Sequence, residues 1–238
     1  MKSVIVWDIE TVPDLEGYAR VHKLEGKTDD EIRAAMGSKF PKPIYHSIVC
    51  IGAVIAEYED DYWQVRSVAA PHVGNQTERE LISSFLDQIA EYEPQLVTYN
   101  GSGFDLPVLR YRAMLHKLSA PGLFERPYFN RYSTDALDLC DALSSFGSST
   151  KLKLDEVCKI MGLDGKPSEI DGSQVSDYYR AGRIQEIADY CVTDVVNTYR
   201  LWLRHELFKG ELDVESFEKS EKHIKEVERN DQNQKISN

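Results

Sequence analysis

The chain has 238 residues, of which 42% are hydrophobic and 29% charged, a balance that supports a sizeable core and excludes bulk disorder. Its formal net charge of −12 argues against tight, nonspecific coating of duplex nucleic acid, which needs a basic face, but not against an enzyme that touches a few phosphates through metal ions. No apolar run approaches the ~20 residues of a membrane span. The run at residues 4–7 stops at Asp8, too early for a signal-peptide core.

In chain order, residues 4–7 read as an apolar strand buried on both faces, with Asp8 and Glu10 directly after it. Residues 12–47 hold Pro13, Pro41 and Pro43 and read as an insertion of unassigned role, with one short helix over 29–36. Residues 48–58 and 62–68 form a predicted hairpin about Glu59-Asp60-Asp61. Thr77-Glu78-Arg79-Glu80 is a capping box, and Leu81, Ile82, Phe85, Leu86 and Ile89 follow at helical spacing until Pro94. A short strand over 96–99 leads through the Asn100-Gly101-Ser102-Gly103 turn to a helix opened by Asp105 and running towards Lys117. Further on come a helix over 152–161, a loop over 165–172 and a long helix over 184–207. After Phe208 the sequence turns polar and charged, and a frayed tail over 208–238 is expected. Strands first, then strands alternating with helices, give an α/β fold with a mixed sheet flanked by helices, a single domain over 1–207. Cys50, Cys140, Cys158 and Cys191 form no CxxC pair and sit among apolar neighbours. They are expected to be buried reduced thiols in a cytoplasmic protein.

Several acids stand at element ends. On a strand, Asp8 and Glu10 point to one face. At ~4 Å and an effective dielectric of ~20 two such charges repel by about 4 kcal/mol, a cost that a cation removes; a pair of solvated turn acids is the alternative. Asp105, after a strand and before a helix, reads equally as a plain N-cap. Tyr190 and Asp194 are four apart on the last helix and share a face. Asp135, Asp138 and Asp141 read as caps and turns, and Lys151, Lys153, Arg180 and Arg183 as solvated surface charges.

The order of these pieces, Trp7-Asp8-Ile9-Glu10-Thr11, then Tyr99-Asn100-Gly101-Ser102-Gly103-Phe104-Asp105, then Tyr190-Cys191-Val192-Thr193-Asp194, resembles the three exonuclease motifs of the DEDD superfamily of proofreading 3′→5′ exonucleases. The Tyr before the last Asp matches the Tyr-type branch; the His-type branch would need a His where Asp189 stands. The spelling is similar to the exonuclease domain of family-B DNA polymerases and, from Ile170-Asp171-Gly172 onwards, to the predicted stand-alone exonucleases related to it. The residues after 207 are too few for a polymerase domain, so a chain acting alone or beside another chain is expected.

The resemblance implies an RNase H-like fold and two divalent ions. Asp8, Glu10 and Asp194 would hold the first, Asp8 would bridge to the second, and Asp105 would reach the second. Tyr190 would hydrogen-bond the attacking water. Four carboxylates balance two divalent cations in charge, and an all-oxygen set suits Mg²⁺ or Mn²⁺ rather than Zn²⁺. Thr11, Asn100 and Phe104 are the candidates for substrate contact. The expected activity is hydrolysis of phosphodiester bonds at 3′ ends of DNA, single-stranded, with release of nucleoside monophosphates. A 3′→5′ exoribonuclease and a non-catalytic nucleic-acid-binding module remain alternatives. A haloacid-dehalogenase-like phosphatase would want Asp where Glu10 stands.

Overall fold

A central strand carrying apolar side chains on both faces organises the fold. The computed structural model describes residues 2–163 and 172–237. The chain enters with β1 (Ser3–Pro13). Two short helices follow, α1 (Leu15–His22) and α2 (Asp29–Met36). The antiparallel hairpin of β2 (His46–Glu59) and β3 (Tyr62–Ala69) comes next. After it run α3 (Glu78–Tyr92), β4 (Gln95–Thr98), α4 (Asp105–Leu115) and α5 (Gly122–Glu125). The short β5 (Ala136–Asp138) leads into α6 (Leu139–Leu143), α7 (Leu154–Ile160) and α8 (Val175–Arg180). Two long helices, α9 (Ile184–Lys209) and α10 (Val214–Ser237), complete the described chain.

The sheet runs β3-β2-β1-β4-β5, with β1 antiparallel to β2 and parallel to β4. This mixed five-stranded sheet with helices on its faces is an RNase H-like α/β arrangement. On one face Ile5, Trp7 and Ile9 pack with Ile82, Phe85 and Ile89 of α3 and Val108 and Leu109 of α4. On the other, Val4 and Val6 meet Val195, Tyr199 and Trp202 of α9. Period-2 alternation on a strand covered on both sides explains why β1 reads as a continuous apolar run.

Several local expectations hold. The α3 capping box is formed in both directions, with Thr77 N donating to Glu80 Oε2 at 2.8 Å and Glu80 N to Thr77 Oγ1 at 3.2 Å. The helix over Asp29–Met36 is present with its own capping box at Thr28 and Glu31. The loop expected over 165–172 lies, apart from Gly172, outside the described residues.

Three expectations need correction. The first strand does not end at Trp7: β2 pairs along it from Ser3 opposite Glu57 to Pro13 opposite His46, so Asp8 and Glu10 lie within the ladder. Second, residues 12–47 hold more than the one short helix expected over 29–36: the end of β1, α1, α2 and a short 3₁₀ turn at Pro43–Tyr45. A buried guanidinium ties this segment down. Arg112 Nη1 reaches Asp14 Oδ2 at 2.6 Å and its Nε reaches Glu78 Oε1 at 2.7 Å, while Glu78 Oε1 also accepts from Ile48 N at 2.7 Å.

Third, the polar stretch after Phe208 is not a frayed tail. Gly210, at φ 76°, ends α9 in the left-handed region open to glycine, and α10 turns back across the sheet. Leu212, just before it, and Ile224 within it are buried, with Phe217 and Val227 packed beside them. Ser220 Oγ accepts from Trp63 N at 2.9 Å and His223 Nδ1 from Val65 N at 3.1 Å. Side chains of α10 thus satisfy outward amides of the edge strand β3. No helix among the described residues is long and apolar enough to cross a membrane.

Ser220 is fully buried. Its replacement, Ser220→Ala, leaves the Trp63 amide without its acceptor, a loss of about 1–3 kcal/mol that urea unfolding will register as a lower midpoint with an unchanged slope.

Candidate active site

The site is built from the backbone outwards. Opposite Asp8 in the β1–β2 ladder stands Gly52. A Cβ there would lie 2.6 Å from Cys191 Sγ and 3.3 Å from Cys191 O. The missing side chain lets α9 cross the sheet directly over Asp8, and Cys191 Sγ approaches Asp8 O at 3.8 Å. Two residues further the register shifts between Glu10 and Thr11. Such a bulge bends the strand and re-aims its side chains. Carboxylate oxygens of Asp8 and Glu10 and Cys191 Sγ all fall within 4.8 Å of one another.

Asp105 comes from the other side of β1. The turn before it places Asn100 at φ 67°, and Gly101 packs so tightly that a Cβ would sit 2.7 Å from Asp105 Oδ2 and 2.8 Å from Thr98 Oγ1. Asp105 is not a helix cap: Phe104 holds the N-cap position without a side-chain bond, and Asp105 is the first helical residue. Its Oδ1 accepts from Ile9 N at 3.2 Å, and its carboxyl also hydrogen-bonds Asp8. Only 5% exposed, the group has its pKa pushed up to about 7 by burial, which outweighs the bonds from Ile9, its own amide and Asp8.

The third contribution is from α9. Tyr190 and Asp194 are both buried, and the tyrosine hydroxyl hydrogen-bonds the Asp194 carboxylate one turn away. Burial first, then the negative field of Asp194, Glu10 and Asp8, drives the Tyr190 pKa above its ordinary value. The phenol therefore stays protonated.

The substrate-contact candidates are spread around this cluster. Thr11 Oγ1 lies 2.9 Å from His46 Nδ1. Phe104 is half-buried against the core. Asn100 is exposed, and its Oδ1 accepts from Lys151 Nζ at 3.1 Å. Arg180 and Arg183 pair with Asp177 and Glu186 beside them.

One supporting residue reads from sequence only as a cap. Asp138 does cap α6, accepting from Asp141 N at 3.2 Å. The same buried carboxylate also accepts Asn100 N at 2.8 Å, Ser102 N at 3.0 Å and Ser102 Oγ at 2.8 Å. It holds the turn that delivers Asp105. Asp141 beside it is held ionised, down to about 2, by Arg131 and then Lys151, against the cost of burial.

The donor chemistry fits a hard divalent cation. Two of the three grouped atoms are carboxylate oxygens, which suit oxygen-seeking ions. The neighbouring Cys191 is held as a thiol, well above its ordinary range, by a hydrogen bond with Cys50 and by burial, so it offers no soft thiolate. Without a cation, an acid whose folded pKa is raised is ionised at a cost. The metal-free protein should therefore lose stability from Asp105 as pH climbs from about 4 to about 7. Asp105→Asn keeps the acceptor for Ile9 N and removes the charge. In EDTA, thermal melts should show the variant above wild type at pH 8, with the gap closing towards pH 4.

A family of predicted 3′-5′ exonucleases related to the exonuclease domain of PolB matches residues 38–238, a range that includes Asp105, Tyr190 and Asp194 and begins after Asp8 and Glu10. A DNA polymerase of Archaeoglobus fulgidus is 27% identical over 133 residues, covering 51% of this chain and 17% of the polymerase. The DNA polymerase epsilon catalytic subunits A of Emericella nidulans and Aspergillus fumigatus are each 30% identical over 141 residues, covering 54% of this chain and 6% of theirs. The chain thus spans a small part of the curated relatives it matches. With the match running over most of its length, this chain belongs to the family of predicted 3′-5′ exonucleases related to the exonuclease domain of PolB.

Proposed function

We propose that the protein removes nucleotides one at a time from the 3′ end of single-stranded DNA, releasing nucleoside monophosphates, with two ions of Mg²⁺ or Mn²⁺ held by Asp8, Glu10, Asp105 and Asp194. The observation that carries the reading is the convergence of acids from β1, the start of α4 and the middle of α9. The polymerases among the relatives favour DNA over RNA.

In this reading Asp8, Glu10 and Asp194 would hold one ion, and Asp8 and Asp105 would hold the second. When bound, the ions supply positive charge for both the attacking and the departing oxygen of an in-line displacement. The protein's own groups do the positioning. Tyr190, kept protonated, orients the attacking water, and Asp194 fixes the phenol by accepting its hydrogen bond. Ile9 N and the Asp138-held turn fix the Asp105 carboxylate. Thr11, Asn100 and Phe104 flank the strand end. Four free cysteines, all buried, support a reducing compartment such as the cytoplasm.

The test is a panel of 3′- and 5′-labelled DNA and RNA strands, single and duplex, with Mg²⁺, Mn²⁺ or EDTA. Mononucleotides from single-stranded DNA, lost in EDTA, are expected; cleavage that persists in EDTA, or starts from the 5′ end, overturns the reading, and preference for RNA replaces the substrate. Asp8→Ala should abolish release while leaving the melting temperature of the folded protein within a few degrees. Tyr190→Phe should slow single-turnover release by about 10²-fold or more, yet less than Asp8→Ala does.

A further inference from the structure

Residues 37–45, which no catalytic motif claims, carry a phenylalanine that packs on His46 and on Phe104, the residue before Asp105. Phe40 is 74% exposed. Its ring packs on two aromatic neighbours, with centroids 5.0 Å from His46 and 5.3 Å from Phe104. His46 and Phe104 meet edge-on at 4.8 Å. Phe104 immediately precedes Asp105, and His46 is bonded to Thr11, which immediately follows Glu10. Phe40 therefore sits against residues of both segments that deliver acids to the site.

The ring is held in place. His46 is buried, and burial lowers its pKa, so the imidazole is neutral. One tautomer satisfies both of its contacts: Thr11 Oγ1 donates to Nδ1 at 2.9 Å, and Nε2–H donates to Pro41 O at 3.2 Å. The second bond anchors the residue next to Phe40. An isolated exposed phenylalanine needs no explanation. This one packs on two rings that belong to the segments carrying Glu10 and Asp105, is tethered through the neighbouring Pro41, and keeps most of its surface open.

We infer that Phe40 is a base-stacking residue of the substrate cleft, its open surface taking the base of the 3′-terminal nucleotide. This role rests on the exonuclease reading above, and through it the segment between α2 and β2 supplies the stacking platform. Phe104, half-buried, backs the Phe40 ring rather than offering a free face. Every base has a π-face, so the contact is tolerant of sequence, as an exonuclease requires.

The experiment is a cycle between protein and strand. Asp8→Ala protein, in which cleavage does not compete, is titrated into a 5′-fluorescein oligothymidylate whose 3′ nucleotide is either intact or abasic, and binding is read by anisotropy. Adding Phe40→Ala should weaken binding of the intact strand by about 5- to 150-fold, the worth of one stack. It should leave the abasic strand unaffected, and Phe40→Trp should restore the intact strand. A merely structural role would weaken both strands alike. Equal loss on both, or no loss on either, overturns the inference. If Asp8→Ala protein holds no strand, KM of the cleaving proteins on the two strands makes the same comparison. Wild-type protein that cleaves no strand brings down the exonuclease reading itself, an outcome distinct from active wild type with an indifferent Phe40.

Discussion

Like charges brought together in a place with little water are the constraint to which this fold answers. Asp8 and Glu10 stand within a strand covered on both faces, Asp105 reaches in from a helix start, and Asp194 comes down from α9. Each carboxylate at ~4 Å from another adds about 4 kcal/mol of repulsion at an effective dielectric of ~20. The raised pKa of Asp105 is the visible sign of that burial. Partial relief comes from backbone dipoles, chiefly the Ile9 amide. A divalent cation would relieve more of it, and the carboxylate oxygens suit one.

Bringing the acids this close is work for residues that carry no charge. Gly52 lets α9 settle on β1, Gly101 lets the turn close on Asp105, and the bulge at Glu10 and Thr11 re-aims the end of the strand. Behind them stand two polar knots. Asp138 gathers the turn amides of Asn100 and Ser102. Arg112, with Glu78 and Asp14, ties together the start of α1, α3, α4 and the start of β2. Both knots are satisfied ion or hydrogen-bond networks in low dielectric, where a half-satisfied one would be costly.

What is legible in the sequence is local. The α3 capping box, the hairpin of β2 and β3, and the i,i+4 pairing of Tyr190 with Asp194 depend on residues a few positions apart. The ordered acidic motifs point to the chemistry because each is a short spacing on or beside a strong element. Longer-range features are hidden. The acids of β1 interrupt its apolar run, so the pattern ends the strand early, although ladder pairing with β2 carries it past them. In α10 only a sparse stripe, Phe217, Ile224 and Val227, marks the packed face among charges. β5 has three residues, too few for any period. The hold of Asp138 on a turn some 36 to 38 residues earlier, and the seat of Phe40 on Phe104, have no spacing that announces them.

The placement of α10 has a consequence for how the molecule meets other proteins. A common way to recruit a peptide is to let it continue a sheet, its main chain pairing with an open border strand. Here the longer border, β3, has amides of Trp63 and Val65 already taken by Ser220 and His223. The opposite border, β5, is a three-residue strand, too brief to template much addition. Any companion chain is thereby steered towards gripping side chains rather than extending the ladder, and the same shielding disfavours edge-to-edge self-association.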